Sequence, residues 1–433
     1  MQVFTITGGN PLTGTVTPSG NKNAALPILA ACLLTEDPVI LHNVPLIRDV
    51  QSMRRLMESL GVEFTEIDQH TWKLQAKVVQ SMNLDPDECK QIRASILLAG
   101  PMSARCGEIR LPPPGGDVIG RRRVDTHILA LDKLGIKAHY DRIFSFKTEY
   151  LRGANILLDE ASVTATENAI MAAVLAKGTT VLKNAAAEPH VQELCQLLNK
   201  MGAQIENIGS NVLTITGVEK LHGTEFTIGA DYLEVVSFIS AAVLTNGSIR
   251  IKNAGNQHLE MIRMVFGRLG VSWDTENDDI IVPKDQLLEI EPDLGYSIPS
   301  IKVMPWPSFP TDLMSIAIVV ATKAKGSILF HDWMLAGRMF FTDKLVSMGA
   351  QIVLCDPHRC IVQGPSQLYG ENLESPDIRA GMALLLAALS AKGTSIIRNI
   401  GQIDRGYEAI DLKLKNLGAQ IVRTRELVAE PKE

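Results

Sequence analysis

No run of this chain approaches the ~18 consecutive apolar residues of a membrane span; the longest candidates, such as Ala383–Ala391, have the length of core helix segments. The opening Met1-Gln-Val-Phe-Thr-Ile-Thr-Gly lacks the charged head and long apolar stretch of a secretion signal, so the cytoplasm is the expected location. Cysteine is sparse: Cys32, Cys89, Cys106, Cys195, Cys355 and Cys360 are scattered and form no CxxC pair. Nine histidines supply neither HxxxH nor HExxH, so zinc spacings are missing and buried or incidental free thiols are expected. Neither a Walker loop nor a GxGxxG opening a helix is present, which weighs against kinases and dinucleotide-dependent dehydrogenases. Basic residues are in no excess, 42 against 48 acidic, and the net charge of −6 argues against broad nucleic-acid binding.

What the chain does have is 433 residues, 46% apolar and 21% charged, a globular composition long enough for two or three domains. Its informative feature is periodic. A phrase of the type Leu-Gly-Ala returns at Gly61, Gly135, Gly202, Gly270, Gly349 and Gly418, at intervals of 67 to 79 residues. Each unit reads as an Ala-rich helix, a short β-branched strand and a more amphipathic helix ending at the Leu-Gly turn, where glycine suits a left-handed cap. The Ala-rich helices are expected over 23–34, 94–103, 166–176, 234–244, 312–322 and 380–391. Such units, with both helices and strands, are longer than solenoid repeats. Six α/β modules without chemistry are the plain alternative.

Helix N-termini carry partial positive charge, so cations there are unfavourable unless an anion binds between them. This chain places Lys22, Arg93 and Arg379 at the starts of Ala-rich helices and Arg338 and Arg405 near the starts of second helices. Arg121-Arg122-Arg123 follows the loop Pro112-Pro-Pro-Gly-Gly-Asp117-Val-Ile-Gly120. Any one of these can be a surface ion pair; the set points to phosphate or carboxylate binding. Asp312, Asp377 and Asp231 share these positions. Asp231 reads as a helix cap, whereas Asp312 and Asp117 lie beside candidate anion-binding segments and suit acid/base work.

At these residues the chain resembles the enolpyruvyltransferases, from about Phe4 to about Arg423. The pieces that carry the resemblance are Ser19-Gly-Asn-Lys-Asn-Ala-Ala-Leu-Pro-Ile-Leu, Arg93-Ala-Ser-Ile, Pro114-Gly-Gly-Asp-Val-Ile-Gly, Phe309-Pro-Thr-Asp and Ile403-Asp-Arg-Gly-Tyr-Glu. Gly-Asn-Lys-Asn, where the shikimate 3-phosphate branch usually has Gly-Ser-Lys-Ser, favours the branch acting on UDP-N-acetylglucosamine. The resemblance implies an α/β (α+β) fold of two inverse α/β barrels with three repeats each. One domain would span 22–229 and carry a lid loop over 112–121. The other would join 1–21 to 230–433, with substrates in a cleft that closes over them.

The resemblance also implies a reaction and its residues. The 3-hydroxyl of UDP-N-acetylglucosamine adds to C2 of phosphoenolpyruvate while C3 takes a proton, and the adduct loses phosphate, the committed step toward peptidoglycan. Lys22, Arg122, Arg405 and Arg379 would hold phosphoenolpyruvate. Asn23, Asp312, Arg122, Arg123, Val124, Asp125, Thr126, Glu160, Ala161, Ser162, Val163 and Met334 would contact the nucleotide sugar, with Arg93 nearby and Arg338 and Asp377 in the substrate-binding set. Asp117, Lys22, Asp312 and Arg405 are the catalytic candidates, and which carboxylate is the base stays open. Neither metal nor organic cofactor is expected, nor a nucleic-acid or membrane partner; a monomer or weak homo-oligomer is. Departures from the family pattern are Asp117 for a lid cysteine, Asp231-Tyr-Leu-Glu-Val-Val, Ala336-Gly-Arg-Met and Ala187. The alternatives are a paralogue using another nucleotide or nucleotide sugar, and a catalytically silent nucleotide-sugar binder.

Overall fold

The computed structural model describes residues 2–79, 82–116 and 123–426. Its described residues fall into two compact units, 20–116 with 123–229, and 2–19 with 230–426. Each has its own apolar core.

In the unit built from 230–426, three helices form the centre: Tyr232–Leu244, Met314–Ala321 and Ile378–Ser390. They pack against one another, and all of their residues are buried. Apart from Glu234 and Arg379 they carry no charge, and a helix apolar on nearly every face has no solvent side, so it must sit inside. Ser237 Oγ donates to the Leu233 carbonyl at 2.7 Å and Ser240 Oγ to that of Val236 at 2.8 Å, within their own helix, while Ser315 Oγ donates across to the Arg379 carbonyl at 3.2 Å. Three four-stranded sheets surround the helices among the described residues. The first runs Asp274–Glu276, Asp279–Val282, Ser248–Ile251, Thr13–Val16, and the second Ser300–Lys302, Gly326–His331, Arg359–Gly364, Gln351–Asp356. The third is completed by the start of the chain. Gln2–Thr7 lies between Thr394–Arg398 and Gln420–Arg425, with Phe4 opposite Ile397 on one side and Arg423 on the other.

The unit built from 20–229 repeats the plan. Its inner segments are Lys22–Ala31, Ala99–Cys106 and Val163–Ala173. Among the described residues two of its sheets have four strands and the sheet of Glu108–Leu111, Ile143–Thr148 and Ile136–Asp141 has three, with one parallel bridge between Asn83 and Arg110 beside it. The outer helices are amphipathic, as in Arg48–Ser59, where Val50, Met53, Leu56 and Met57 face the core.

Five of the six Ala-rich segments begin within three residues of expectation. The segment expected over 94–103 is instead a 3-10 turn, Arg93–Leu98, followed by the helix Ala99–Cys106. The cause is Asn168. Its Nδ2 donates to the Ile96 carbonyl at 2.8 Å and its Oδ1 accepts from Gly100 N–H at 2.7 Å, so its amide stands where an i→i+4 bond would close. A Cβ at Gly100 would sit 2.5 Å from the Asn168 carbonyl oxygen, so glycine is needed for this approach. The six Leu-Gly glycines all have left-handed backbones, with φ from +82° to +104°.

Candidate active site

In the unit built from 230–426, four of the candidate residues come together. Asp312 sits in the 3-10 turn Thr311–Leu313 that opens the helix Met314–Ala321. It does not cap that helix. Its Oδ1 accepts from Arg338 Nη2 at 2.9 Å, and its Oδ2 lies 3.4 Å from Arg379 Nη2. Arg338 also approaches Asp377 at 3.8 Å, and its side chain is 1% exposed against 30% for Asp312. The carboxylate is thus the part of this group most open to an incoming hydroxyl, with two guanidinium groups behind it.

Arg379 occupies the second position of the helix Ile378–Ser390, where the dipole disfavours a cation. Asp377 caps the same helix, accepting from Arg379 N–H at 2.8 Å and Ala380 N–H at 3.0 Å. Burial opposes the charge on Arg379, yet Asp312, Tyr407 and Asp231 more than offset it, so its pKa lies above the usual arginine value. The guanidinium lies over the Tyr407 ring at 5.8 Å, and the phenol shares a hydrogen bond of 3.1 Å with Ser237. Asp231 caps the helix Tyr232–Leu244 through Leu233 N–H at 2.9 Å, as its sequence position suggests. Arg405 closes the 3-10 turn Ile400–Arg405, five residues before the helix Ile410–Asn416; it is 9% exposed, and its Nη1 donates to Gln402 Oε1 at 2.9 Å.

A buried carboxylate that sequence reasoning missed supports this group. Asp332 is 0% exposed; its Oδ2 accepts from Thr311 Oγ1 at 2.5 Å, and its Oδ1 accepts from the N–H groups of Met334 and Leu335 at 3.0 and 3.2 Å. Met334 itself is exposed. Burial pushes the Asp332 carboxyl up, while Thr311, Arg338 and the two N–H groups pull against that shift.

In the unit built from 20–229, Lys22 is the first residue of the helix Lys22–Ala31, which Asn21 caps by accepting from Asn23 and Ala24 N–H. The Lys22 ammonium lies 2.7 Å from Asp49, and both side chains are nearly buried, 9% and 5% exposed. The segment 123–126 gathers around Asp159, another residue that sequence reasoning missed. Thr126 Oγ1 donates to Asp159 Oδ1 at 2.7 Å, Arg123 Nη2 to Oδ2 at 3.1 Å, and Arg123 Nε to Asp125 at 3.1 Å. The Thr126 bond, ahead of Arg123, holds the Asp159 carboxyl below its usual value. Arg93 Nη2 donates to the Arg123 carbonyl at 2.9 Å. Val124 is half-buried just before the helix Asp125–Lys133. Next along, Ser162 caps the helix Val163–Ala173, while Glu160 is exposed and Ala161 half-buried. Asp117 and Arg122 lie outside the described residues.

A model of the EPSP synthase (3-phosphoshikimate 1-carboxyvinyltransferase) family matches residues 6–414. The chain belongs to that family. Among curated relatives of this EPSP synthase family member, the UDP-N-acetylglucosamine 1-carboxyvinyltransferase of Treponema denticola is 53% identical, over 97% of this chain and 99% of the relative. The protein of the same name from Bradyrhizobium diazoefficiens is 54% identical, over 98% of each chain. Among solved structures, the enolpyruvyl transferase NikO from Streptomyces tendae superposes with a TM-score of 0.86 at 25% identity, covering 98% of this chain and 99% of that one. The fold class is therefore the two-domain inverse α/β barrel of the enolpyruvyl transferases.

Proposed function

We propose that the chain transfers the enolpyruvyl group of phosphoenolpyruvate to the 3-hydroxyl of UDP-N-acetylglucosamine and releases phosphate. The observation that carries this reading is the 53–54% identity, over nearly the whole chain, to proteins named for that acceptor. The chemistry needs fixed cations for an anionic donor and a carboxylate open to a hydroxyl, and the Arg338–Asp312–Arg379 group has both kinds of side chain. In this reading Asp312 accepts the hydroxyl proton as the sugar oxygen bonds to C2, and Asp117 delivers a proton to C3. A C3 proton then leaves while the bond from C2 to the phosphate oxygen breaks, giving the enolpyruvyl ether.

Lys22, Arg122, Arg379 and Arg405 are assigned to phosphoenolpyruvate. Asn23, Asp312, Met334, Glu160–Val163 and the segment 122–126 are assigned to the nucleotide sugar, with Arg93, Arg338 and Asp377 completing the substrate set. Lid movement is assigned to the loop 112–121. The same reading places the protein in the cytoplasm at the first committed step of peptidoglycan precursor synthesis, as a monomer or weak homo-oligomer, without metal, organic cofactor or nucleic acid. No helix among the described residues is long and apolar enough to cross a membrane.

The test is phosphate release from phosphoenolpyruvate against a panel of nucleotides and nucleotide sugars. Release dependent on UDP-N-acetylglucosamine is expected. Release with a different acceptor alone would reassign the substrate, as the departures at Ala187 and Ala336–Met339 allow, and silence with every acceptor would make the chain a binding protein.

A further inference from the structure

Asp332 has no substrate role in the reading above, yet two segments of the site are fastened to it. It follows the strand Gly326–His331 and is held at the backbone on both sides: its N–H donates to the His358 carbonyl at 2.8 Å, and its own carbonyl bonds His358 Nδ1 at 2.7 Å. The side chain is therefore a fixed post. One carboxylate oxygen takes the hydroxyl of Thr311, the residue before Asp312. The other takes two consecutive N–H groups at Met334 and Leu335, the start of the loop that delivers Arg338 to Asp312. A carboxylate accepting several hydrogen bonds at full burial is a costly arrangement unless each bond is made, and here both oxygens are engaged.

We infer that Asp332 is the positioning residue of this site, setting the Thr311–Asp312 turn and the Met334–Arg338 loop in mutual register so that Asp312 and Met334 meet the nucleotide sugar together. The inference rests on the proposed reaction for its choice of substrate. Without the carboxylate, Thr311 loses its acceptor and two backbone donors are left unmatched, so both segments can shift independently. Because a misplacement of about 1 Å can cost about 100-fold in turnover, the loss appears in substrate constants as well as in the folded fraction.

The experiment compares steady-state kinetics of the wild type, Asp332→Ala, Asp332→Asn and Thr311→Val, with both substrates varied. Asparagine keeps an acceptor for the two N–H groups, and its Nδ2 can donate to the Thr311 hydroxyl, so it can rebuild all three bonds without the charge. Asp332→Ala is expected to raise KM for UDP-N-acetylglucosamine about tenfold or more and to lower kcat. KM for phosphoenolpyruvate should stay within about twofold, and Asp332→Asn should recover most of the loss. Thr311→Val should reproduce part of the defect and add little to it in the Asp332→Ala background. If Asp332→Ala leaves both KM values unchanged and lowers kcat only in proportion to the folded fraction, the residue is structural and the inference is overturned. Independent, additive effects of the Asp332 and Thr311 changes would overturn it as well. A wild type that turns over a different acceptor corrects the proposed substrate and leaves this inference standing if the KM for that acceptor moves in the same way. A wild type that neither turns over nor binds a nucleotide sugar ends both.

Discussion

Replacing Arg338 by methionine removes a guanidinium from a place where its side chain is 1% exposed, with Asp312 at 2.9 Å and Asp377 at 3.8 Å. At an effective dielectric of about 20, unit charges ~4 Å apart attract by about 4 kcal/mol, and removing one member of a buried pair costs about 3–5 kcal/mol because the other is left uncompensated. Arg379 remains 3.4 Å from Asp312 and the helix N–H groups still serve Asp377, so the expected loss lies at the low end, about 3 kcal/mol. Asp312→Asn removes the charge that Arg338 answers. The double variant should therefore be about 2 kcal/mol more stable than the sum of the single changes predicts. Three of the four tryptophans, Trp273, Trp306 and Trp333, lie in this unit, so in a Trp72→Phe background the midpoint of its urea transition can be followed by intrinsic fluorescence. Stability and turnover should part company: the double variant regains much of its folding free energy and none of its activity. Strictly additive midpoints would refute the idea that the two side chains are coupled, and an active double variant would remove them from the chemistry.

His127 is nearly buried, with Nδ1 facing Asn168 Nδ2 at 2.9 Å and Nε2 facing Thr164 Oγ1 at 3.0 Å; burial, then Arg93, lowers its pKa to about 3. The unfolded chain takes up that proton near pH 6.5, so this contribution is full above about 6.5 and is lost as pH falls toward 3, by about 2 kcal/mol at pH 5. His127→Asn, which keeps an acceptor for Asn168, should flatten the stability profile between pH 7 and pH 5; an unchanged slope would place the titration elsewhere. At the repeated turns, Gly418→Ala meets nothing closer than 3.7 Å and should cost only the ~1–2 kcal/mol of left-handed strain. Gly135→Ala would bring a Cβ to 2.0 Å from the Tyr150 carbonyl oxygen and should be clearly less stable in thermal unfolding; equal melting temperatures would contradict the packing described. In the proposed reading Asp117 takes the place of the family's lid cysteine, whose thiolate fosfomycin alkylates. Since a carboxylate is a far poorer nucleophile toward the epoxide, the wild type should resist time-dependent inactivation, Asp117→Cys should become sensitive while active, and Asp117→Asn should be nearly inactive. Covalent labelling of the wild type would dismiss Asp117 from that role.

The sixfold plan was readable because its signals are local. A Leu-Gly turn needs a left-handed residue whatever surrounds it, and a helix without a charged residue such as 314–321 has nowhere to go but the core. Asp231 reads correctly as a cap for the same reason. Side chains that act across the fold carried no such mark. Asn168 lies in an ordinary helical pattern, and nothing near it in sequence shows that its amide will break the segment around Ile96. Asp49, Asp159 and Asp332 each sit within a few residues of unremarkable loops and helix starts; their partners Lys22, Thr126 and Thr311 are 27, 33 and 21 residues away. Asp312 was legible as an acid/base candidate beside an anion-binding segment, but not its two partners, because Arg338 lies 26 residues on in the same repeat and Arg379 reaches it from the next one.

The strand Gln2–Thr7 has a place in time as well as in space. In the order of synthesis it precedes its neighbours, Thr394–Arg398 and Gln420–Arg425, by about 390 and about 420 residues. The unit of residues 20–229 can assemble in the interval, as domains made early generally do. Through that wait, a segment whose Val3, Phe4 and Ile6 are destined for burial has unpaired edges on both sides. Those edges are an aggregation hazard for as long as the strands of 394–398 and 420–425 are still to be made, and the two of them end it together.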